Sequence, residues 1–198
     1  MCASVISVKL VGKKHTLVKI ELSVRGEKTA YTISEGAYRE IGCPLSADTI
    51  LPDALAVIEK EGKQIEALKR ALKILAYADN NTRTLYRKLL VAGFSKNDAS
   101  YAVRECVSLG YIDECQQLRR LISVLSEREL LGPHRIYKKL LAKQYRPDDI
   151  LRMIERLSSE GEIDFTRSKT RLIEKHAPRD FEEKRKLLYK YGYENEND

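Results

Sequence analysis

The sequence predicts a mostly α-helical protein built from tandem three-helix repeats, preceded by a small N-terminal unit that mixes β-strands with short helices. Three observations carry this. The run LYRKLLVAGF at 85–94 returns as IYKKLLAKQY at 136–145, 51 residues later, and the likeness continues outside the run at the same offset. Residues 4–33 follow a different rule, alternating apolar and polar in β-branched stretches. Finally, 33% charged residues with three Phe and no Trp argue against one deep core and for small elements with much solvated surface.

Within residues 4–33 the β-branched runs break at GKKH and RGEK, both with turn chemistry, which predicts a three-stranded antiparallel sheet. Ser34 then caps a short helix, SEGAYREI, that Gly42 ends. The stretch LSADTILPDALAVIEKEG reads as a further short helical piece that Pro52 either interrupts or starts. A unit of about 60 residues is too small to hold a large core alone. It is expected to lean on the helix that follows, Lys63 to Ala78.

From there the pattern is helical. Tyr86 answers Tyr137, Lys88 answers Lys139, Leu89 and Leu90 answer Leu140 and Leu141, Phe94 answers Tyr145, and Asp98 answers Asp149. The next helix starts with Ser95 as the cap of a capping box in one copy and with Pro147 at the first helical position in the other. Its apolar stripe falls at Ala99, Ala102, Val103 and Cys106, then at Ile150, Met153, Ile154 and Leu157, the spacing of one helical face. Both copies close alike, with Gly110, Ile112 and Asp113 against Gly161, Ile163 and Asp164; the glycine suits a left-handed helix C-cap. Each copy is thus three helices: 69–78, 82–92 and 95–109, then 116–128, 133–143 and 147–159.

A third copy supplies a first helix over 166–175 and a basic second helix from Arg179 to about Lys190, then YKYGY, with no third helix to follow. Leu187, Leu188 and Tyr191 are left either to be covered by a neighbour or to fray. The domain division is 1–60 for the β-sheet and short-helix unit, 61–114 and 115–164 for two three-helix repeats, and 165–198 for a truncated third.

The formal charge is +7 and the pI near 9.1, a balance that favours acidic partners such as nucleic acid or an acidic protein surface. Up to residue 60 there are 8 basic residues against 7 acidic, and after it 28 against 22, so the excess belongs to the repeats. Cys2, Cys43, Cys106 and Cys115 have no CxxC spacing, and His15, His134 and His176 stand near none of them in a zinc-like pattern, so reduced, unliganded thiols and no metal are expected. No apolar run approaches the roughly 18 residues needed to cross a bilayer. A cytoplasmic protein without a membrane partner follows.

The combination of Leu85, Leu89, Gly93, Phe94, Leu109, Gly110, Ile112 and Asp113, followed by Gly132, Pro133, Arg135, Ile136 and Leu140, resembles the RecX family of bacterial recombination regulators. The resemblance covers about residues 63–191, and the N-terminal β-containing extension is similar to that of longer members. It implies that the repeats form an elongated, curved array and that the protein binds the RecA filament on single-stranded DNA. It further implies lodging along the filament groove and inhibition of ATP hydrolysis, strand exchange and coprotease activity, as a regulator of homologous recombination and the SOS response. The sequence departs from the pattern in its short third unit and in Gln144, where a glycine like Gly93 is expected.

The candidate partner-binding residues are cations. On the helix beginning at Thr82, Arg87 and Lys88 point away from the face made by Leu85, Tyr86, Leu89 and Leu90, and Lys138 and Lys139 repeat the geometry. A solvated face would look the same at any one position; the repetition suits a polymeric acidic partner, where weak contacts add. Lys184, Arg185 and Lys186 would extend the track. Arg135 sits in the first turn of its helix, where a cation gains nothing from the helix dipole, which favours a partner contact.

Phe94 and Tyr145 occupy one junction between helices and read as packing rather than base stacking. Tyr189, Tyr191 and Tyr193 lie near a basic segment, with core or tail again the better reading. Cys106 reads as core. Cys115 lies near a helix start but has no visible base partner. No Gly-rich phosphate loop, credible carboxylate pair or activated nucleophile is present, so neither an enzyme nor a cofactor is expected. The alternative function is direct DNA binding through helix-turn-helix-like repeats; a scaffold for some other protein is the blander third. A monomer is expected.

Overall fold

A computed structural model describes residues 3–11 and 16–193. The chain divides into two compact units, one built from residues up to 78 together with 85–111, the other from 79–84 together with 112 onward. Among the described residues there are nine helices and one four-stranded antiparallel sheet.

In the first unit, β1 (Ala3–Val11), β2 (Leu17–Val24) and β3 (Glu27–Ser34) form the expected meander. The RGEK turn places Arg25 and Gly26 at φ 54° and 83°, the paired left-handed residues of a tight hairpin whose twist matches its strands. The GKKH turn lies outside the described residues. The central strand β2 alternates as its sequence demands: Val18, Ile20 and Leu22 are fully buried, while Lys19 and Glu21 pair at 2.9 Å on the other face.

The sheet has one strand more than the sequence suggested. Residues Thr49–Ile50 form β4, which pairs with the start of β1 and gives the order β3-β2-β1-β4. Two residues are too few for an alternation signal. β1 itself bulges at Ile6, between the Val5–Leu22 and Ser7–Glu21 pairs.

Ser34 caps α1 (Glu35–Glu40), accepting from the Ala37 amide at 3.1 Å. Pro52 starts rather than interrupts α2, which runs unbroken over Pro52–Tyr77 in place of the two helices expected from the sequence. Gly62 does not end it: a Cβ there would lie 2.8 Å from Cδ1 of Tyr31 on β3, so glycine lets helix and sheet approach. Leu55 and Ile58 on α2 close the sheet core around Val5, Ile20, Leu22 and Ile33. Further along, α2 packs on α4 (Lys96–Ser108), and Ala67 and Ala71 on one helix and Ala99 and Ala102 on the other are fully buried. Ser95 caps α4 as read, bonding the Asp98 amide at 3.2 Å.

The second unit holds α5 (Glu114–Glu127), α6 (Pro133–Ala142), α7 (Pro147–Ser159), α8 (Phe165–His176) and α9 (Phe181–Tyr191). Leu118, Ile122, Ile136, Leu140, Ile150 and Leu157 meet in its main core. The Asp of each Gly-x-Ile-Asp run caps the helix after it: Asp113 accepts from Gln116 at 2.9 Å and Asp164 from Arg167 at 3.0 Å. Those caps start α5 and α8 a residue or two before the positions read from periodicity. The glycines close the helices before them: at Gly110 and Gly161, φ is 75° and 72° and the paired back-bonds to Cys106 and Val107, and to Leu157 and Ser158, are made.

The same closure follows α3 (Thr82–Val91), α6 and α9. Gly93, Gln144 and Gly192 have φ of 92°, 71° and 84°, and the next residue in each case, Phe94, Tyr145 or Tyr193, bonds back to Leu89, Leu140 or Leu188. Gln144 therefore adopts the glycine conformation despite its side chain. The last two helices, α8 and α9, are covered rather than frayed through Tyr193: Leu188 and Tyr193 are buried with Leu130 and Leu172.

The starts of α3 and α6 share a device. Asn81 caps α3 through the Thr84 amide and donates its side-chain amide to the Lys143 carbonyl at the end of α6, both at 2.8 Å. Fifty-one residues on, the Gly132 amide donates to the Tyr191 carbonyl at the end of α9 at 2.8 Å, and the His134 amide to Gly192 at 3.3 Å. A Cβ on Gly132 would stand 2.4 Å from the Gly192 carbonyl oxygen. The Gly132-Pro133 pair thus combines a close backbone approach with a first helical position that needs no amide.

Tyr145 and Tyr193 are packing residues. Tyr145 donates to Gln117 at 2.9 Å, and Tyr193 donates to the Leu130 carbonyl at 3.2 Å. Burial pushes both phenols up to about 12, with Glu114 and Asp79 adding to the effect at Tyr145.

Three outcomes are expected. Replacing Gln144 with Gly removes left-handed strain of about 1–2 kcal/mol, offset by roughly 0.5–1 kcal/mol of glycine entropy, so the urea midpoint rises slightly. Gly132→Ala overpacks the contact with Gly192 and lowers stability by about 1–3 kcal/mol in the same titration. The two tyrosines stabilise the fold fully below their unfolded value of about 10. That contribution is lost as pH rises from there toward 12, because the unfolded chain ionises first. Urea midpoints at pH 8 and 11 check this, with a smaller fall expected in Tyr145→Phe.

Candidate interface for an acidic partner

The two second helices with a full repeat behind them share one chemistry. α3 carries Arg83, Arg87 and Lys88, α6 carries Arg135, Lys138 and Lys139, and neither contains a carboxylate. Leu85 and Leu89, and Ile136 and Leu140, are fully buried and fix each helix's inward face. The helical turn then sends Arg87, Lys88, Arg135 and Lys138 outward, and all four are exposed. Lys139 is half-buried and forms an ion pair with Glu129.

On α9, Lys184 is half-buried, Arg185 pairs with Glu182 at 3.1 Å, and Lys186 is exposed. This helix differs from the other two in carrying Glu182 and Glu183 in its first turn, where they suit the helix dipole. The predicted cations therefore divide. Lys139 and Arg185 have partners on their own chain, and Arg87, Arg135, Lys138 and Lys186 stand in solvent.

Three other arginines of the second unit have carboxylate partners on their own chain. Arg119 on α5 reaches Glu160 and Glu162, each at 3.1 Å, Arg120 reaches Asp79 at 3.0 Å, and Arg156 holds Glu160 at 2.8 Å. The Arg156 hydrogen bond holds the Glu160 carboxyl below the usual carboxylate range, with the charges of Arg156 and Arg119 adding to it. These exposed pairs are each worth little, but they distinguish arginines with carboxylates in reach from those on α3 and α6.

In the first unit Arg87 and Lys88, though exposed, also line an open cleft of about 720 Å³ between α3 and the last turns of α2, which Arg70 lines too. Its apolar lining includes Ile74, Tyr77 and Val91. The sequence reading missed this feature, because Arg70 and Tyr77 lie on another helix and only the fold sets them beside α3. It also passed over α8, where Arg167, Arg171 and Lys175 are exposed; the signal there was the basic content of the run itself.

Arg135 marks the contact between α6 and the end of α9, since a Cβ on Gly192 would fall 2.4 Å from its amide nitrogen. His134 beside it is exposed. Of the tyrosines near the basic C-terminal segment, Tyr189 is exposed, Tyr191 is half-buried with its hydroxyl 3.2 Å from His176 Nε2, and Tyr193 is core. Cys106 is buried on α4, where burial pushes its thiol up, while Cys43 and Cys115 are exposed and free. Cys2 and His15 lie outside the described residues. Among the described residues no group of three His, Cys, Asp or Glu is placed to hold a metal ion, and no helix is long and apolar enough to cross a membrane.

The architecture is that of a small antiparallel sheet leading into consecutive short-helix bundles, and solved structures share it. The chain is similar to a crystal structure of regulatory protein RecX, with a TM-score of 0.67 at 15% identity, covering 97% of this chain and 95% of that one. It is also similar to RecX from Lactobacillus salivarius, with a TM-score of 0.53 at 13% identity, covering 65% of this chain and 85% of that one. The fold is therefore RecX-like, from the N-terminal sheet through the last helices. No protein-family model matches the sequence, and no curated protein matches it either.

Proposed function

We propose that this protein is a RecX-type regulator: it binds the RecA filament on single-stranded DNA and inhibits ATP hydrolysis, strand exchange and coprotease activity, acting in recombination and the SOS response. It works in the cytoplasm as a monomer, without catalysis of its own. The observation that carries the reading is the RecX-like fold over nearly the whole of both chains. The carboxylate-free cationic faces of α3 and α6 support it. In this reading Arg87, Lys88, Arg135 and Lys138 make the principal contacts to the protomers or to the DNA they coat. Lys184, Arg185 and Lys186 extend them, and Lys139 contributes if its bond to Glu129 is exchanged.

The partner is acidic and polymeric, which suits weak contacts repeated along one chain. Each exposed ion pair contributes about 0.2–1 kcal/mol, so no single contact suffices, while tethered contacts gain from effective concentration. Direct binding to duplex DNA is the second reading, favoured by the basic second helices of three-helix units. It requires a steep fall of affinity with salt and no need for RecA.

The test is the RecA ATPase on single-stranded DNA, titrated with this protein below one copy per protomer. The rate is expected to fall; an unchanged rate across the titration rejects the proposal. The triple variant Arg87→Glu, Lys88→Glu and Lys138→Glu is expected to inhibit about tenfold less well, the effect of losing roughly 1.4 kcal/mol across the three positions. Lys139 is left intact because a carboxylate there would face Glu129.

A further inference from the structure

The cleft between α2 and α3 departs from a simple cationic surface. Tyr77 and Val91 are 88% and 85% exposed, more than any other large apolar residue among those described. They stand in one cleft with Ile74, and the remaining apolar lining is alanine. Arg70, Arg87 and Lys88 supply the charge, and no carboxylate lines the space. Side chains this exposed bury little of their own apolar surface in the free protein, and apolar groups clustered in this way mark an interaction surface.

Spacing sets the form of the occupant. On α2 the lining recurs at Arg70, Ile74 and Tyr77, a stripe of about two turns, and on α3 it falls at Arg87, Lys88 and Val91, a little over one turn. The two walls bring apolar side chains and cations to one groove. Single-stranded nucleic acid fits it poorly. Base stacking needs successive aromatic faces, and here one tyrosine stands among aliphatic side chains. A helix with its own apolar stripe, flanked by Asp and Glu, satisfies both halves of the chemistry.

We infer that the α2–α3 cleft is a docking groove for an acidic amphipathic helix of a partner protein, with Tyr77, Ile74 and Val91 receiving its apolar anchors and Arg70, Arg87 and Lys88 its carboxylates. The inference rests on the reading of Arg87 and Lys88 as partner contacts, and not on which protein the partner is.

The experiment uses the full chain and a fluorescein-labelled peptide about 14 residues long, roughly four helical turns. Leu and Phe occupy one face and Glu the rest; a scrambled peptide of the same composition and an oligo-dT strand are the comparisons. Anisotropy is expected to show saturable binding of the patterned peptide and at least about tenfold weaker binding of the scrambled one. The double variant Tyr77→Ser and Val91→Ser, and separately Arg70→Glu with Arg87→Glu, should each weaken the patterned peptide at least about fivefold. All four positions are exposed, and thermal unfolding by circular dichroism verifies that each variant is folded.

Equal affinity for the scrambled peptide overturns the inference, as does an unchanged affinity in Tyr77→Ser with Val91→Ser. So does a loss confined to oligo-dT binding, which would assign the cleft to nucleic acid. If these outcomes occur while RecA ATPase is still inhibited, the groove fails and the regulator reading stands. If the patterned peptide binds as expected but RecA is unaffected, the groove stands and the regulator reading fails.

Discussion

Where one helix ends against the start of another, the second unit relies on backbone carbonyls turned outward by a left-handed residue. Gln144 and Gly192 each reverse the chain after a second helix, and the carbonyls of Lys143, Tyr191 and Gly192 emerge there as acceptors. The orphan donors of a helix N-terminus need such acceptors. Gly132 and His134 meet two of them through their amides, whereas at α3 the orphan Thr84 amide is met by the Asn81 side chain, whose own amide group donates to Lys143. The same demand is answered by different residues 51 positions apart.

That constraint orders much of what surrounds it. Once the end of each second helix is fixed, Phe94, Tyr145 and Tyr193 must follow the turn at the same place, and in the second unit Tyr145 and Tyr193 complete a core there. Once the inward faces are fixed by Leu85 and Leu89, and by Ile136 and Leu140, the outward faces of α3 and α6 have no choice of direction. Their lack of carboxylates is then a property of the surface rather than of an accidental rotamer. Arg119 and Arg120 on α5 and Arg156 on α7 show the contrast, since each has a carboxylate in reach.

Long-period features were legible in the sequence, and short or tertiary ones were not. Repetition at 51 residues placed α3 and α4, α6 and α7, and the glycine closures after α3, α4 and α7, because each carries several apolar positions on one face. The strand β4 is two residues long and exists only because β1 offers it an edge. The sequence divided α2 into a short piece and a helix from Lys63, with Gly62 at the join; its close approach to Tyr31 on β3 is a tertiary contact that local pattern does not show. Gln144 breaks the glycine pattern, yet the turn forms, because a back-bonded turn and a buried Tyr145 outweigh about 1–2 kcal/mol of backbone strain. At the candidate interface the sequence named Arg87 and Lys88 but could not see Arg70 and Tyr77 across the cleft, nor that Lys139 is held by Glu129.

The central claim is that the outward cations of α3 and α6 are read by a RecA-coated strand rather than by bare nucleic acid. Competition measures this most directly, with labelled protein shared between RecA-coated and naked single-stranded DNA of the same sequence. The account predicts that the coated strand takes most of the protein, and that reversing charge at Arg87 and Lys138 abolishes the preference. Equal partition, or a stronger hold by the naked strand, would contradict it.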